Sequence, residues 1–181
     1  MLVRKRGRTM ATRSLGIVRR QPNFVGSYRH VVDSQGRIQL PRAMRKAMMP
    51  ESQSTLIITR GLDGCLWAYP LDEWQRLSEQ WARALEDATA RRKRHEIRLI
   101  TSQASETKID AQGRIAVPAP LLKAAGIRNE AMIVGSLDRI EVWDPKRFEQ
   151  AMEDVEDSFE QNVGNLIVFR QGQRQAGSDA G

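Results

Sequence analysis

Cysteine is almost missing from this chain: Cys65 stands alone among 181 residues. That excludes an internal disulfide and any zinc site built on paired cysteines, and it suits a reducing compartment. Histidine is nearly as scarce. His30 and His95 stand 65 positions apart, neither with a second ligand at metal-binding spacing, so no metal centre and no cofactor is expected. No apolar run approaches the ~20 residues a membrane helix needs. Walker loops, dinucleotide fingerprints and Gly-x-Ser-x-Gly elbows are absent, which removes the commonest signatures of enzymes. What is present is 40% hydrophobic and 28% charged residues, a mixture able to bury a core as one domain or two small ones. The expectation is a soluble cytoplasmic protein with no membrane partner and no small-molecule substrate.

Charge of one sign is also missing, but only locally. Residues 1–23 contain Arg4, Lys5, Arg6, Arg8, Arg13, Arg19 and Arg20 and no acid, which accounts for the whole net charge of +7. The rest of the chain balances 22 basic against 22 acidic residues. Residues 81–104 are locally basic, including Arg91-Arg92-Lys93-Arg94, and 151–181 are acidic. The basic extension reads either as an arm adding non-specific phosphate contacts or as an appendage without function. A twin-arginine export signal is disfavoured, because Gln-Pro-Asn follows Arg19-Arg20 where an apolar stretch is required.

The strongest internal signal is a repeat. Asp33-Ser34-Gln35-Gly36-Arg37-Ile38-Gln39-Leu40-Pro41 returns 77 positions later as Asp110-Ala111-Gln112-Gly113-Arg114-Ile115-Ala116-Val117-Pro118, with six of nine residues identical. Leu56-Ile57-Ile58 then answers Met132-Ile133-Val134, and Leu66-Trp67-Ala68-Tyr69-Pro70 answers Ile140-Glu141-Val142-Trp143-Asp144. In each copy a short strand runs into Asp-x-x-Gly, where the Asp side chain caps a turn and Gly supplies a left-handed residue. A strand follows, alternating so that Ile38 and Leu40 share one face while Arg37 and Gln39 share the other. A helix follows each proline: Arg42–Met49, closed by Pro50, and Pro120–Ala125, closed by Gly126. Two further strands precede a longer helix. In the first copy it is expected to start at Asp72, capped with Gln75, with a stripe of Trp74, Leu77, Trp81, Leu85 and Ala88. In the second it starts at Asp144 with Pro145 at the first helical position, and Met152, Val155 and Phe159 carry the stripe.

These paired turns, with Gly26-Ser27-Tyr28-Arg29-His30-Val31-Val32 before the first, Tyr69-Pro70-Leu71-Asp72-Glu73-Trp74 after it and Val142-Trp143-Asp144 after the second, resemble the MraZ family of bacterial transcriptional regulators. The likeness runs from about Phe24 to at least Phe148. It implies an α+β fold of two tandem SpoVT/AbrB-type modules forming an interlocked, double-psi-like β-barrel with peripheral helices. The organisation expected is a disordered basic extension (1–23), module one (24–75), a helical connector (76–103), module two (104–150), and an acidic helix with a disordered tail (151–181). Family members begin near Phe24, so the extension is a departure. The resemblance further implies a cytoplasmic, nucleoid-associated, ring-like homo-oligomer binding double-stranded DNA at promoter repeats of the division and cell-wall gene cluster. Position for position, Arg37 and Arg114 match the family's DNA-contacting arginine, and Asp33 and Asp110 the acid shaping the same turn. Arg29 and Arg42, with Arg45, are candidates for added phosphate contacts.

Taken without that resemblance, each Arg reads first as the ion-pair partner of the Asp four residues before it, a weak stabiliser of its own hairpin, and only second as a DNA contact. A duplicated Asp-containing turn also suggests an aspartic protease, but the Asp-Thr/Ser-Gly signature is missing and a neighbouring Arg would keep each acid ionised. Cys65, in an apolar strand, reads as core rather than nucleophile. The remaining alternative is an assembly protein whose nucleic-acid binding is incidental, with Leu166-Ile167-Val168-Phe169 packing on a neighbour or on its own core.

Overall fold

The structure, a computed structural model, describes residues 21–86, 91–156 and 158–159. Most of the basic extension, Ala88, the run 166–169 and the tail from Arg170 lie outside the described residues.

Both halves follow one plan. Strands β1 (Ser27–Val31) and β5 (Ser105–Lys108) lead into the Asp-x-x-Gly turns, and β2 (Arg37–Gln39) and β6 (Arg114–Ala116) lead out. Pro41 and Pro118 then occupy the caps of α1 (Arg42–Ala47) and α4 (Ala119–Ala125). Proline has no N–H to extend a ladder, yet its fixed φ feeds a helix, so one residue ends the strand and starts the next element. Next come β3 (Thr55–Arg60), β4 (Leu66–Pro70) and α2 (Leu71–Ala84) in the first half. In the second they are β7 (Glu130–Ser136), β8 (Arg139–Trp143) and α5 (Pro145–Glu156). Helix α3 (Arg91–Ser102) joins the halves.

Three local expectations need correction. Helix α1 stops at Ala47, two residues before Met49, because a residue preceding proline is pushed out of the helical region; Met49 is extended and Pro50–Ser52 forms a separate short turn. Helix α2 begins one residue earlier than its Asp-x-x-Gln pattern suggests. Pro70 takes the cap, Asp72 becomes an inner residue of the first turn, and no side chain caps the helix. The third is the repeat alignment. The ladders equate Leu56 and Ile58 with Ala131 and Ile133, one position off the match by sequence, since Thr55 faces Lys108 as Glu130 faces Val31. A one-residue slip turns every side chain to the other side of a sheet, so the register decides which residues are core.

The halves exchange strands. All pairings are antiparallel, and the six-stranded order is β1-β7-β8-β4-β3-β5. Each half's first strand therefore pairs only with the other half's sheet, and swapping equivalent strands reproduces the same order read backwards. A two-stranded ribbon, β2 with β6, completes the set. A pseudo-twofold axis passes through Ile38 facing Ile115 in the ribbon and Trp67 facing Glu141 in the sheet.

One face of the sheet packs on the ribbon. Leu56, Ile58, Leu66, Ala68, Ala131, Ile133, Ile140 and Val142 meet Ile38, Ile115, Met44, Leu121 and Leu122 in a single buried cluster. Each large aliphatic there contributes about 1.5–3 kcal/mol by leaving water. The opposite face carries Tyr69 against Trp74 of α2 and Trp143 against Phe148 of α5. Cys65 is buried, as expected of a core residue, and the surrounding apolar matter pushes its thiol up to about 12, helped by Glu141 and Asp63. Among the described residues no helix is long and apolar enough to cross a membrane.

Candidate nucleic-acid interface

The two turns are built alike. Asp33 Oδ1 accepts the backbone N–H of Gln35 and of Arg37, both at 2.9 Å, while Gly36 N–H donates to Asp33 O at 2.9 Å. Asp110 Oδ1 accepts from Gln112 and Arg114 N–H at the same 2.9 Å, and Gly113 N–H donates to Asp110 O at 2.8 Å. The first carboxylate oxygen thus shapes the turn and leaves the second for the arginine. Arg37 Nε donates to Asp33 Oδ2 at 2.7 Å, and Arg114 Nε to Asp110 Oδ2 at 2.9 Å. Glycine is required in both, with φ of +72° at Gly36 and +81° at Gly113.

Charge follows this geometry. The Arg37 backbone N–H, then its side chain, hold the Asp33 carboxyl down at about 2. Asp110 is lowered likewise, first by the Arg114 backbone N–H. Both acids are anions across the physiological range, so each arginine is oriented by a fixed negative neighbour.

The strand exchange brings the turns together. Leu40 N–H donates to Gly113 O at 2.9 Å and Val117 N–H to Gly36 O at 3.0 Å, tying each ribbon strand to the other half's turn. Arg114 Nη1 consequently lies 3.9 Å from Asp33 Oδ2, a contact between residues 81 apart in the chain. Asp33, Arg37, Asp110 and Arg114 form one surface cluster of zero formal charge, with the two arginine side chains only 33% and 27% exposed. Short tips, Ser34-Gln35 and Ala111-Gln112, stand exposed beside them.

The other candidates separate. Arg29 sits on β1 and is engaged elsewhere, by Glu149 of α5 at 2.7 Å and Glu130 of β7 at 3.8 Å. Arg42 is exposed at the start of α1, two residues beyond the Leu40 contact with the second turn. Arg45 reaches that turn directly. Its Nε donates to Leu40 O at 3.1 Å, and a Cβ placed on Gly113 would stand 2.6 Å from its Cζ. In the other half Leu122 takes the corresponding place, 3.2 Å from a Cβ built on Gly36.

Gln39 was not singled out by sequence, yet its Nε2 donates to Gln112 O at 3.1 Å and Gly113 O at 3.0 Å, clamping the second turn. Its counterpart Ala116 can do nothing of the kind. Arg114 also bonds Gln112 Oε1, whereas the only acid paired with Arg37 among the described residues is Asp33. The turns are equivalent in backbone and unequal in how firmly they are held. No group of three or more His, Cys, Asp or Glu among the described residues is arranged to hold a metal ion.

Two arginines on rigid hairpin turns, paired by an internal dyad, define a duplicated α+β protein with a bivalent guanidinium surface suited to phosphate or base edges. The comparisons match the duplication. The family model described as "MraZ protein, putative antitoxin-like" matches residues 24–95 and again 100–170. The protein named "Transcriptional regulator MraZ" from Pediococcus pentosaceus is 34% identical over 146 residues, covering 81% of this chain and 98% of that relative. The chain belongs to the MraZ family.

Proposed function

We propose that this chain is a sequence-specific DNA-binding transcriptional regulator, not an enzyme, acting as a homo-oligomer on promoter repeats of the division and cell-wall gene cluster in the nucleoid. The observation that carries the reading is the meeting of the two Asp–Arg turns on one surface, with Arg114 within 3.9 Å of Asp33. Arg37, held by Asp33 at Nε, offers its terminal nitrogens for bidentate contact with phosphate or guanine, whereas Arg114 also gives Nη2 to Asp110 and Gln112 and would exchange the Gln112 bond for such a contact. Asp33 and Asp110 are positioning residues in this scheme, and Arg37 and Arg114 make the contacts. Arg42 and Arg45 add phosphate contacts beside the second turn, while Arg29 stays with Glu130 and Glu149. The sheet curls about the ribbon as a closed, interlocked barrel, which keeps the two arginines at fixed separation. Support also comes from the transcriptional regulator named among its relatives.

Because the cluster is electrically neutral, specificity comes from placement rather than from bulk charge, and the basic extension adds only non-specific affinity. The test is a mobility shift on promoter DNA, in three salt concentrations, with wild type, Arg37→Ala/Arg114→Ala and a chain lacking residues 1–23. Specific binding is expected to vanish in the double variant. The truncated chain should keep specificity but show a shallower dependence on salt, by up to about 0.9 per lost phosphate contact. Equal binding of wild type and folded double variant to every sequence would overturn the DNA reading and favour an assembly protein.

A further inference from the structure

The two long helices start with opposite charge. Aligned on their first residues, Leu71 and Pro145, and on the aromatic residues Trp74 and Phe148, α2 carries Asp72 and Glu73 where α5 carries Lys146 and Arg147. Acids suit the positive end of a helix dipole and cations do not, so α2 follows the rule and α5 breaks it. Glu73 is buried against Arg76, whereas Lys146 and Arg147 are exposed. A local rule kept in one copy of a repeat and broken in the other points to a use for the exception.

Lys146 and Arg147 do not stand alone. Two adjoining open cavities, of about 540 and 460 Å³, share Gly126, Arg128 and Asp144. Their linings hold five cations, Arg29, Lys123, Arg128, Lys146 and Arg147, against the three carboxylates of Glu130, Asp144 and Glu149. The carboxylates are already engaged. Arg29 takes Glu149 at 2.7 Å and Glu130 at 3.8 Å, and Asp144 Oδ1 accepts the Arg147 N–H at 3.2 Å. Among the described residues Lys123, Arg128, Lys146 and Arg147 form no ion pair. Arg147 makes one long hydrogen bond, from Nη1 to Gly64 O at 3.5 Å, and its guanidinium lies over Gly126, 3.2 Å from a Cβ built there.

The cations adjoin the first turn. Leu122 lines the smaller cavity and stands 3.2 Å from a Cβ built on Gly36. Asn129 lines the larger, and its carbonyl accepts the Val32 N–H at 2.8 Å, one residue before Asp33. We infer that Lys123, Arg128, Lys146 and Arg147 hold backbone phosphates of the DNA that the Arg37 turn reads. A free phosphate compound shares that chemistry. DNA is favoured because the four cations are spread over two open cavities side by side, a track for successive phosphates and not one enclosed pocket. The inference rests on the DNA reading proposed above and adds a polarity to it. The long helix of the second half grips the backbone, and that of the first, starting with Asp72 and Glu73, does not.

The experiment measures binding of the full chain to promoter DNA and to an unrelated duplex across a range of salt, by fluorescence anisotropy. Lys146→Asp/Arg147→Glu gives α5 the start that α2 has, with acids where the dipole favours them, so the helix is retained. Lys123→Gln/Arg128→Gln removes the other two cations without touching α5. Arg91→Asp/Lys93→Glu makes the same change of net charge as the first variant on α3, whose Ile100 carbonyl is bonded to Thr59 of β3. Both site variants should flatten the dependence of log K on log salt by about 0.9 for each phosphate released. They should weaken both duplexes by the same factor, because phosphate contacts carry no sequence information. The α3 variant should keep the wild-type slope. An equal fall in all three variants would mean bulk charge, and unchanged slopes in the site variants would remove the site. Either result overturns this inference and leaves the DNA reading to the Arg37→Ala/Arg114→Ala test. Urea unfolding with and without inorganic pyrophosphate separates the other source. Stabilisation of wild type that is lost in Lys146→Asp/Arg147→Glu, with an unchanged DNA slope, would assign the site to a free phosphate and overturn the backbone assignment. A wild type that binds no DNA would remove both readings together.

Discussion

The pair Gly36 and Gly113 offers a quantitative test of the strand-exchanged fold, because each turn is covered by the helix of the opposite half. Alanine at either position must adopt a left-handed φ, at about 1–2 kcal/mol. The neighbours then differ. At Gly113 the new Cβ meets the Arg45 guanidinium, the free end of a flexible side chain, whose displacement forfeits the Nε–Leu40 hydrogen bond. That bond is worth about 0.5–1.5 kcal/mol, so Gly113→Ala should cost roughly 1.5–3.5 kcal/mol in total. At Gly36 the Cβ stands 2.9 Å from the Val117 carbonyl oxygen, which is backbone and cannot swing away. Overpacking of that kind adds about 1–3 kcal/mol, for a total of roughly 2–5 kcal/mol. The ranges overlap, so the discriminating quantity is the coupling. In an Arg45→Ala background Gly113→Ala should cost only its backbone share of about 1–2 kcal/mol. In a Leu122→Ala background Gly36→Ala should cost as much as before. Urea unfolding followed by tryptophan fluorescence gives all the values, provided the slope with denaturant is unchanged. Failure of Arg45→Ala to relieve Gly113→Ala would refute the placement of α1 over the second turn.

Two further outcomes are expected. Asp33 has a carboxyl lowered from 3.8 to about 2 in the folded state, so the stabilisation it supplies is present above its unfolded value and is lost as pH falls through about 2. Urea midpoints followed from pH 5 to pH 2 should therefore drop below about pH 4 in wild type and drop less in Asp33→Asn/Asp110→Asn; identical profiles would remove the carboxylates from the turn's stability. Cys65, with its thiol pushed up to about 12 by burial, should not react with a disulfide reagent at pH 8 until urea unfolds the chain. Equal rates in native and unfolded protein would show the thiol to be accessible.

Much of the candidate site was legible because it is local. Asp33, Gly36 and Arg37 lie within five positions, and the hydrogen bonds that shape the turn run between residues two and four apart. The start of α5 was equally legible, since Pro145 at the first helical position follows an Asp144 whose Oδ1 accepts the Arg147 N–H at 3.2 Å. The partners across the dyad were not. Periodicity states that β1 is a strand and is silent on whether it pairs with β3 or with β7. The role of Arg45 depends on a turn 68 residues away, and that of Gln39 on one 73 residues away. At Asp72 the local pattern misled, because Pro70 competes for the helix cap and wins by its fixed φ. The repeat itself was plain in the turns and off by one in β3 and β7, where runs of similar aliphatic residues align almost equally well in either register.

The exchange of first strands also has a meaning in time. Ser27 pairs with Val134, and nothing in its own half offers β1 a ladder. During synthesis at about 5–20 residues per second, β1 leaves the ribosome roughly 5–20 s before its partner exists. Through that interval its bonding edge is open, with Val25, Tyr28 and Val31 beside it, residues that stay exposed even after folding. The β3–β4 hairpin has its partner within the first half, but β1 gains its ladder only when β7 has been made, so the sheet is completed by the second half.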